Sequence, residues 1–216
     1  MDSGTNPGAW LSNKMIQNGH LTTDEDAGLV SSCKRGDLDA FESLVRKYEK
    51  RMLNISYRIA GNYEDACEIV QDAFVSAYRN IKNFRGQAKF STWLTALTVN
   101  HSKNRLNRLK ARHAHEPVSI DDPIQTEDGS MAMDPPSKEP SVLDRMEKRE
   151  VQKRVQDCIS ALEPEFRETL VLRDIQGFSY DEIGAMLKVR EGTVKSRLFR
   201  AREAVKDCLK KAMGTL

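Results

Sequence analysis

From Asp24 onward, apolar residues return at every third or fourth position. Phe41, Leu44, Val45, Tyr48, Met52, Ile55 and Ile59 form one face of a long helix that begins near Asp37 and stops at Gly61. Asn62 is placed to cap a second helix, whose stripe is Ala66, Ile69, Val70, Ala73, Phe74, Ala77, Tyr78 and Ile81. A loop from Lys82 to Lys89, containing Gly86, separates it from a third helix opened by Phe90, Trp93, Leu94 and Leu97, with Ser91 or Thr92 near its start. Phe90 and Trp93 continue the apolar face, so both read as core residues that hold the loop. The first 23 residues are polar and have no apolar period, which reads as a loose tail or leader without functional weight.

The pattern fails between residues 114 and 140, where Pro117, Pro123, Pro135, Pro136 and Pro140 stand among acids and small residues. Such a stretch can neither build a core nor stay helical, so it reads as a flexible linker between two small domains, 24–113 and 141–216. Beyond it, Val151, Val155, Ile159 and Leu162 mark a helix, and Pro164 suits the first turn of the next, which carries Phe166, Leu170 and Val171. Gly177 interrupts. Ser179 with Glu182 spells a capping box for a short helix ending at Leu187. A longer helix starts near Glu191 and carries Val194, Leu198, Ala201, Val205 and Leu209. No segment alternates long enough to predict a strand, so the expected fold class is all-α.

Composition adds little until charge is mapped onto these elements. The 216 residues are 39% hydrophobic and 31% charged, with a net charge of +2 that conceals its distribution. Residues 101–115 carry five basic side chains and no acid. Residues 188–211 carry nine against three acids, whereas the proline-rich linker holds seven acids against Lys138 alone. Two basic blocks flanking an acidic tether point to nucleic acid. No run approaches the roughly 18 apolar residues of a spanning helix, and the start of the chain lacks signal-peptide order, so a cytoplasmic protein without membrane insertion is expected. Cys33, Cys67, Cys158 and Cys208 form no C-x-x-C pair. They are expected to be free thiols, with Cys67 and Cys158 in or near the core. His113 and His115 have no third ligand nearby, so no metal or other cofactor is expected.

A short capped helix, a tight turn and a longer basic helix make a helix-turn-helix pattern. The longer helix presents Lys195, Ser196, Arg197, Phe199 and Arg200 within two turns. Basic side chains there can grip phosphates or reach guanine acceptors bidentately, and an apolar ring can meet a thymine methyl. The other reading of the same residues is a basic amphipathic helix that binds protein.

The residues of this half resemble a family. Leu162 to Ala204, LEPEFRETLVLRDIQGFSYDEIGAMLKVREGTVKSRLFRAREA, is similar to region 4 of extracytoplasmic-function sigma factors of RNA polymerase. In the first half, Asp65 to Phe74 (DACEIVQDAF) resembles the polymerase-binding helix of region 2, and Phe84 to Asn104 (FRGQAKFSTWLTALTVNHSKN) its promoter-melting segment. The order of region 2, acidic linker and region 4 is that of the small sigma-E-like group. The resemblance implies that Asp65, Glu68, Gln71 and Asp72 dock on the clamp helices of the largest polymerase subunit, with region 4 on the flap of the second. It assigns the minus-10 element to Gln87, Lys89, Asn100, Lys103, Asn104 and Arg108, with Asn100 reading a flipped base. It assigns the minus-35 element to Arg173, Lys195, Ser196, Arg197, Phe199 and Arg200, with Arg190, Glu191 and Thr193 at the helix start. Arg190 stands where the family usually has proline, which adds a charge beside the DNA and loosens the turn. Such factors are commonly held inactive by an anti-sigma protein, a further expected partner.

Alternatives stay open. The acidic face of the second helix also fits a merely solvated surface. The linker serves either as an occupant of the polymerase's nucleic-acid channel or as a solubilising tether. A free-standing helix-turn-helix regulator that binds operators as a dimer explains the second half but leaves DACEIVQDAF without a purpose. An enzyme finds no support in glycine loops, nucleophile–base patterns or paired carboxylates.

Overall fold

The computed structural model describes residues 24–115 and 142–213, and all of their regular structure is helical. The tail before Asp24 and nearly all of the acidic linker lie outside the described residues, as do the side chains of His113 and His115.

The first half contains α1 (Ala27–Lys34), α2 (Leu38–Ala60), α3 (Tyr63–Asn80), a 3-10 turn at Ile81–Asn83, and α4 (Phe90–His115). Its boundaries follow from side-chain chemistry. Asp37 caps α2 by accepting from the Ala40 N–H, Gly61 ends it at φ 81°, and Asn62 caps α3 by accepting from the Asp65 N–H. Ile81, read as part of the α3 stripe, instead starts the 3-10 turn, and Tyr78 stays 44% exposed. Leu44, Met52, Ile55 and Ile59 from α2 meet Val70, Phe74 and Ala77 from α3 and Leu94 from α4 in the core. Phe84, Phe90 and Trp93 close its end as an aromatic cluster with centroids 5.0–6.0 Å apart, so both predicted core aromatics are buried. Asp24 reaches across to accept from the Phe90 N–H at 2.7 Å, capping α4 from a distance.

The second half contains α5 (Val142–Ser160), α6 (Pro164–Leu170), a widened π turn at Val171–Ile175, α7 (Tyr180–Leu187) and α8 (Glu191–Met213). Pro164 opens α6, and Gly177 takes φ 77° after the π turn. Ser179 and Glu182 form the predicted capping box in both directions. Two expectations about cysteine are corrected here. Cys158 on α5 and Cys208 on α8 are joined by a disulfide, with their Cα atoms 5.7 Å apart, so only Cys33 and Cys67 are free. Cys67 is exposed because it follows Ala66, and one residue along a helix turns the side chain about 100° away from the buried stripe.

The two halves pack on one another. Arg167 is buried and donates to the Ile59 carbonyl at the end of α2 (2.6 Å) and to the Leu162 and Ser160 carbonyls of its own half. Arg58 donates to Gln156 (2.8 Å), and Arg51 donates to Gln176 (3.0 Å) while lying over the Phe178 ring.

Candidate nucleic-acid interface

The turn between α7 and α8 sets where the second helix points. Lys188 closes α7 in the left-handed region at φ 58°, and Val189 donates back to the Gly184 carbonyl at 3.0 Å. A side chain at Gly184 would place its Cβ 2.9 Å from the Val189 carbonyl oxygen, so the approach of turn to helix requires glycine. The Thr193 and Val194 N–H groups then donate to the Arg190 carbonyl as α8 starts. Val194, Leu198 and Ala201 turn inward and leave Lys195, Ser196, Phe199 and Arg200 exposed along the first turns. Phe199 is 69% exposed on this face, beside the exposed basic side chains.

Charge at this end is arranged around Tyr180. The Arg173 guanidinium lies 4.8 Å from the centre of that ring and the Lys195 ammonium 5.6 Å from it. Lys195 also pairs with Glu191 at 2.6 Å, and this contact raises the lysine's pKa. Ser196 donates to the Thr193 carbonyl. Arg190 is exposed beside the turn. Two of the predicted readers are held by contacts within the protein. Arg173 donates to the Phe178 carbonyl at 2.8 Å, and Arg197 turns toward Glu165 on α6 with only 21% of its side chain exposed.

On the first half, Gln87 and Lys89 stand exposed on the loop before α4, and Asn104 and Arg108 are exposed along that helix. Asn100 is half-buried. Lys103 is engaged by the other half: its ammonium lies 2.9 Å from Glu168, a carboxylate only 1% exposed. Burial pushes the Glu168 pKa up, opposed by Lys103 and Arg197. The predicted acidic face of α3 is split. Arg105 of α4 takes Asp65 at 2.6 Å and Glu68 at 2.6 Å, whereas Gln71 and Asp72 remain exposed. Arg105 and Tyr180 thus organise surfaces on which the sequence pattern alone did not place them.

The family description "Sigma-70 region 2" matches residues 44–112, and "Sigma-70, region 4" matches residues 152–205. The RNA polymerase sigma-H factor of Pseudomonas aeruginosa is 35% identical over 189 residues, 88% of this chain and 96% of that protein. The chain belongs to the extracytoplasmic-function group of RNA polymerase sigma factors. Other relatives of this sigma factor are the sigma-E factors of Haemophilus influenzae, 32% identical over 87% of the chain and 97% of the relative, and of Escherichia coli, 35% identical over 83% and 92%. Among solved structures, CnrH in complex with the cytosolic domain of CnrY shares the fold at a TM-score of 0.61, with 22% identity over 87% of this chain and 99% of that one. The sigma factor RpoE of Bartonella quintana, in complex with the anti-sigma factor NepR, does so at 0.59, with 19% identity over 79% and 96%. The sigma factor is accordingly a transcription initiation factor that binds core polymerase and directs it to promoters.

Proposed function

We propose that this cytoplasmic sigma factor reads promoters with two surfaces and docks on polymerase with a third. The minus-35 reader is the exposed start of α8, formed by Lys195, Ser196, Phe199 and Arg200 with Arg190, Glu191 and Thr193 around the helix N-terminus. Arg173 acts there through Tyr180, beside Lys195, and Arg197 anchors α8 to α6. The minus-10 surface comprises Gln87, Lys89, Asn100, Asn104 and Arg108, with Lys103 joining once Glu168 moves away. Gln71 and Asp72 provide the exposed docking face toward the clamp helices, and Asp65 and Glu68 hold α3 against α4 through Arg105. Region 4 engages the flap. The domains are bounded near 24–113 and 141–216.

The observation that carries this reading is the exposed basic and aromatic group on α8, held by an intact helix-turn-helix. The similar fold of RpoE, solved with an anti-sigma factor, supports such a partner here as well. Replacing Lys195 and Arg200 by Ala should weaken minus-35 recognition by ~1–3 kcal/mol for each side chain that bonds a base bidentately, and leave polymerase binding intact. Replacing Gln71 and Asp72 by Ala should do the reverse, measured by co-elution with core polymerase and by promoter binding of the holoenzyme. Loss of DNA binding alone from both pairs would defeat the assignment. A pull-down from the native host that recovers only polymerase subunits, under inducing and non-inducing conditions alike, would remove the anti-sigma partner.

A further inference from the structure

The recognition helix is anchored unevenly. Its first half is fixed by Val194, Leu198 and Ala201, all buried, but no residue of α8 after Ala201 is buried. Val205, Cys208 and Leu209 are only half-covered. Between this second half and α5 lies an apolar cleft of about 460 Å³ lined by Val155, Ile159, Leu170, Ile175, Val205 and Leu209. This cleft is open to solvent, with the charged Arg202 and Lys206 also lining it, so the far half of α8 is covered less fully than the half that carries Val194, Leu198 and Ala201. Among the described residues, a hydrogen bond from Arg154 to the Ala212 carbonyl at 3.3 Å and the Cys158–Cys208 disulfide link this half of α8 to α5. The disulfide spans 50 residues and so encloses α6, the π turn, α7 and α8 as far as Cys208.

Transcription takes place in the cytoplasm, where small thiols keep most cysteine pairs reduced and a bonded pair tends to be a redox-responsive one. We propose that Cys158 and Cys208 form a reversible thiol–disulfide site at which a peroxide oxidant fastens the far half of the recognition helix to α5. This inference rests on the sigma reading for its compartment and for the purpose of α8. Cys208 is the half-exposed partner and Cys158 the buried one, which orders the steps. The Cys208 sulfur attacks hydrogen peroxide, the O–O bond breaks, and a sulfenic acid and one water result. The Cys158 sulfur then attacks that sulfenic sulfur; the S–S bond forms and the hydroxyl leaves with a proton as a second water. Two thiols are oxidised by two electrons and one peroxide is reduced to two waters. In the reverse direction a small thiol such as glutathione attacks the accessible Cys208 sulfur and expels Cys158, and a second thiol clears the mixed disulfide, leaving oxidised glutathione.

The full-length protein is equilibrated in glutathione buffers whose ratios bracket that of bacterial cytoplasm, quenched with acid, and its free thiols are then alkylated in denaturant and counted by mass spectrometry. Two thiols, Cys33 and Cys67, should react at the oxidised end and all four at the reduced end. A count fixed at two, a permanent staple, or fixed at four would overturn the proposal. In parallel, amide hydrogen exchange across residues 202–213 should quicken on reduction by on the order of tenfold, while residues 191–201 change little. Cys208→Ser and Cys158→Ser should both match the reduced protein in every buffer. Equal exchange in both redox states would overturn the coupling to α8. Neither readout involves polymerase, so these failures leave the sigma assignment standing, and failure of polymerase binding leaves the thiol result standing.

Discussion

Phe199 and His101 show how opposite kinds of burial lead to opposite kinds of test. Phe199 is mostly exposed, so Phe199→Ala should change folding stability by less than about 0.5 kcal/mol while weakening minus-35 binding. A stability loss well above that value would mean the ring belongs to the core. His101 is half-buried, shares a 2.9 Å hydrogen bond with Ser76, and has its pKa lowered from the usual 6.5 chiefly by burial, against the pull of Asp72. A folded-state pKa below the unfolded value means the unfolded chain takes up a proton first. The neutral histidine's contribution is thus complete above about pH 6.5 and is lost as the pH falls through the lowered folded value. Urea denaturation should therefore show the wild type losing more stability between pH 7.5 and 5.5 than His101→Gln does. Equal losses would show that another group dominates that window.

At the scale of elements, the turn of the helix-turn-helix is the most tightly specified feature. Gly184→Ala sets a methyl against a backbone carbonyl that cannot swing aside, so region 4 should lose about 1–3 kcal/mol in chemical denaturation. An unchanged midpoint would mean that the turn relaxes. Such local features were readable in the sequence because their causes are local. Asp37 and Asn62 cap the helices they precede, Ser179 and Glu182 cap each other, and Gly61 and Gly177 supply the positive φ that ends an element. What could not be read depends on distances between elements. Nothing in the spacing pairs Cys158 with Cys208, since 50 residues separate them and only the packing of α5 on α8 brings them together. Arg105 likewise captures Asp65 from 40 residues away, dividing an acidic face that the helical period presents as continuous. Cys67 was misplaced for a simpler reason, a shift of one residue in phase.

For the molecule as a whole, buried apolar residues of the two halves belong to one cluster, and polar side chains that satisfy backbone and carboxylate groups reinforce the contact. Burial lowers the Arg167 pKa, while its guanidinium holds carbonyls from both halves. Arg167→Met leaves those carbonyls without their charged donor and should cost about 2–4 kcal/mol. It should also split one thermal unfolding transition into two as the halves separate, whereas a single transition at an unchanged temperature would show the contact to be incidental. The same packing pairs Lys103 with Glu168, so on the proposed minus-10 assignment Lys103 reaches DNA only after the halves part. The most direct test of a polymerase specificity subunit is transcription by purified bacterial core polymerase on fragmented genomic DNA of the source organism. Transcript starts are mapped with and without the protein. The predicted result is a set of new starts sharing two upstream elements; absence of new starts, together with absence of core binding, would contradict it and favour a free-standing regulator.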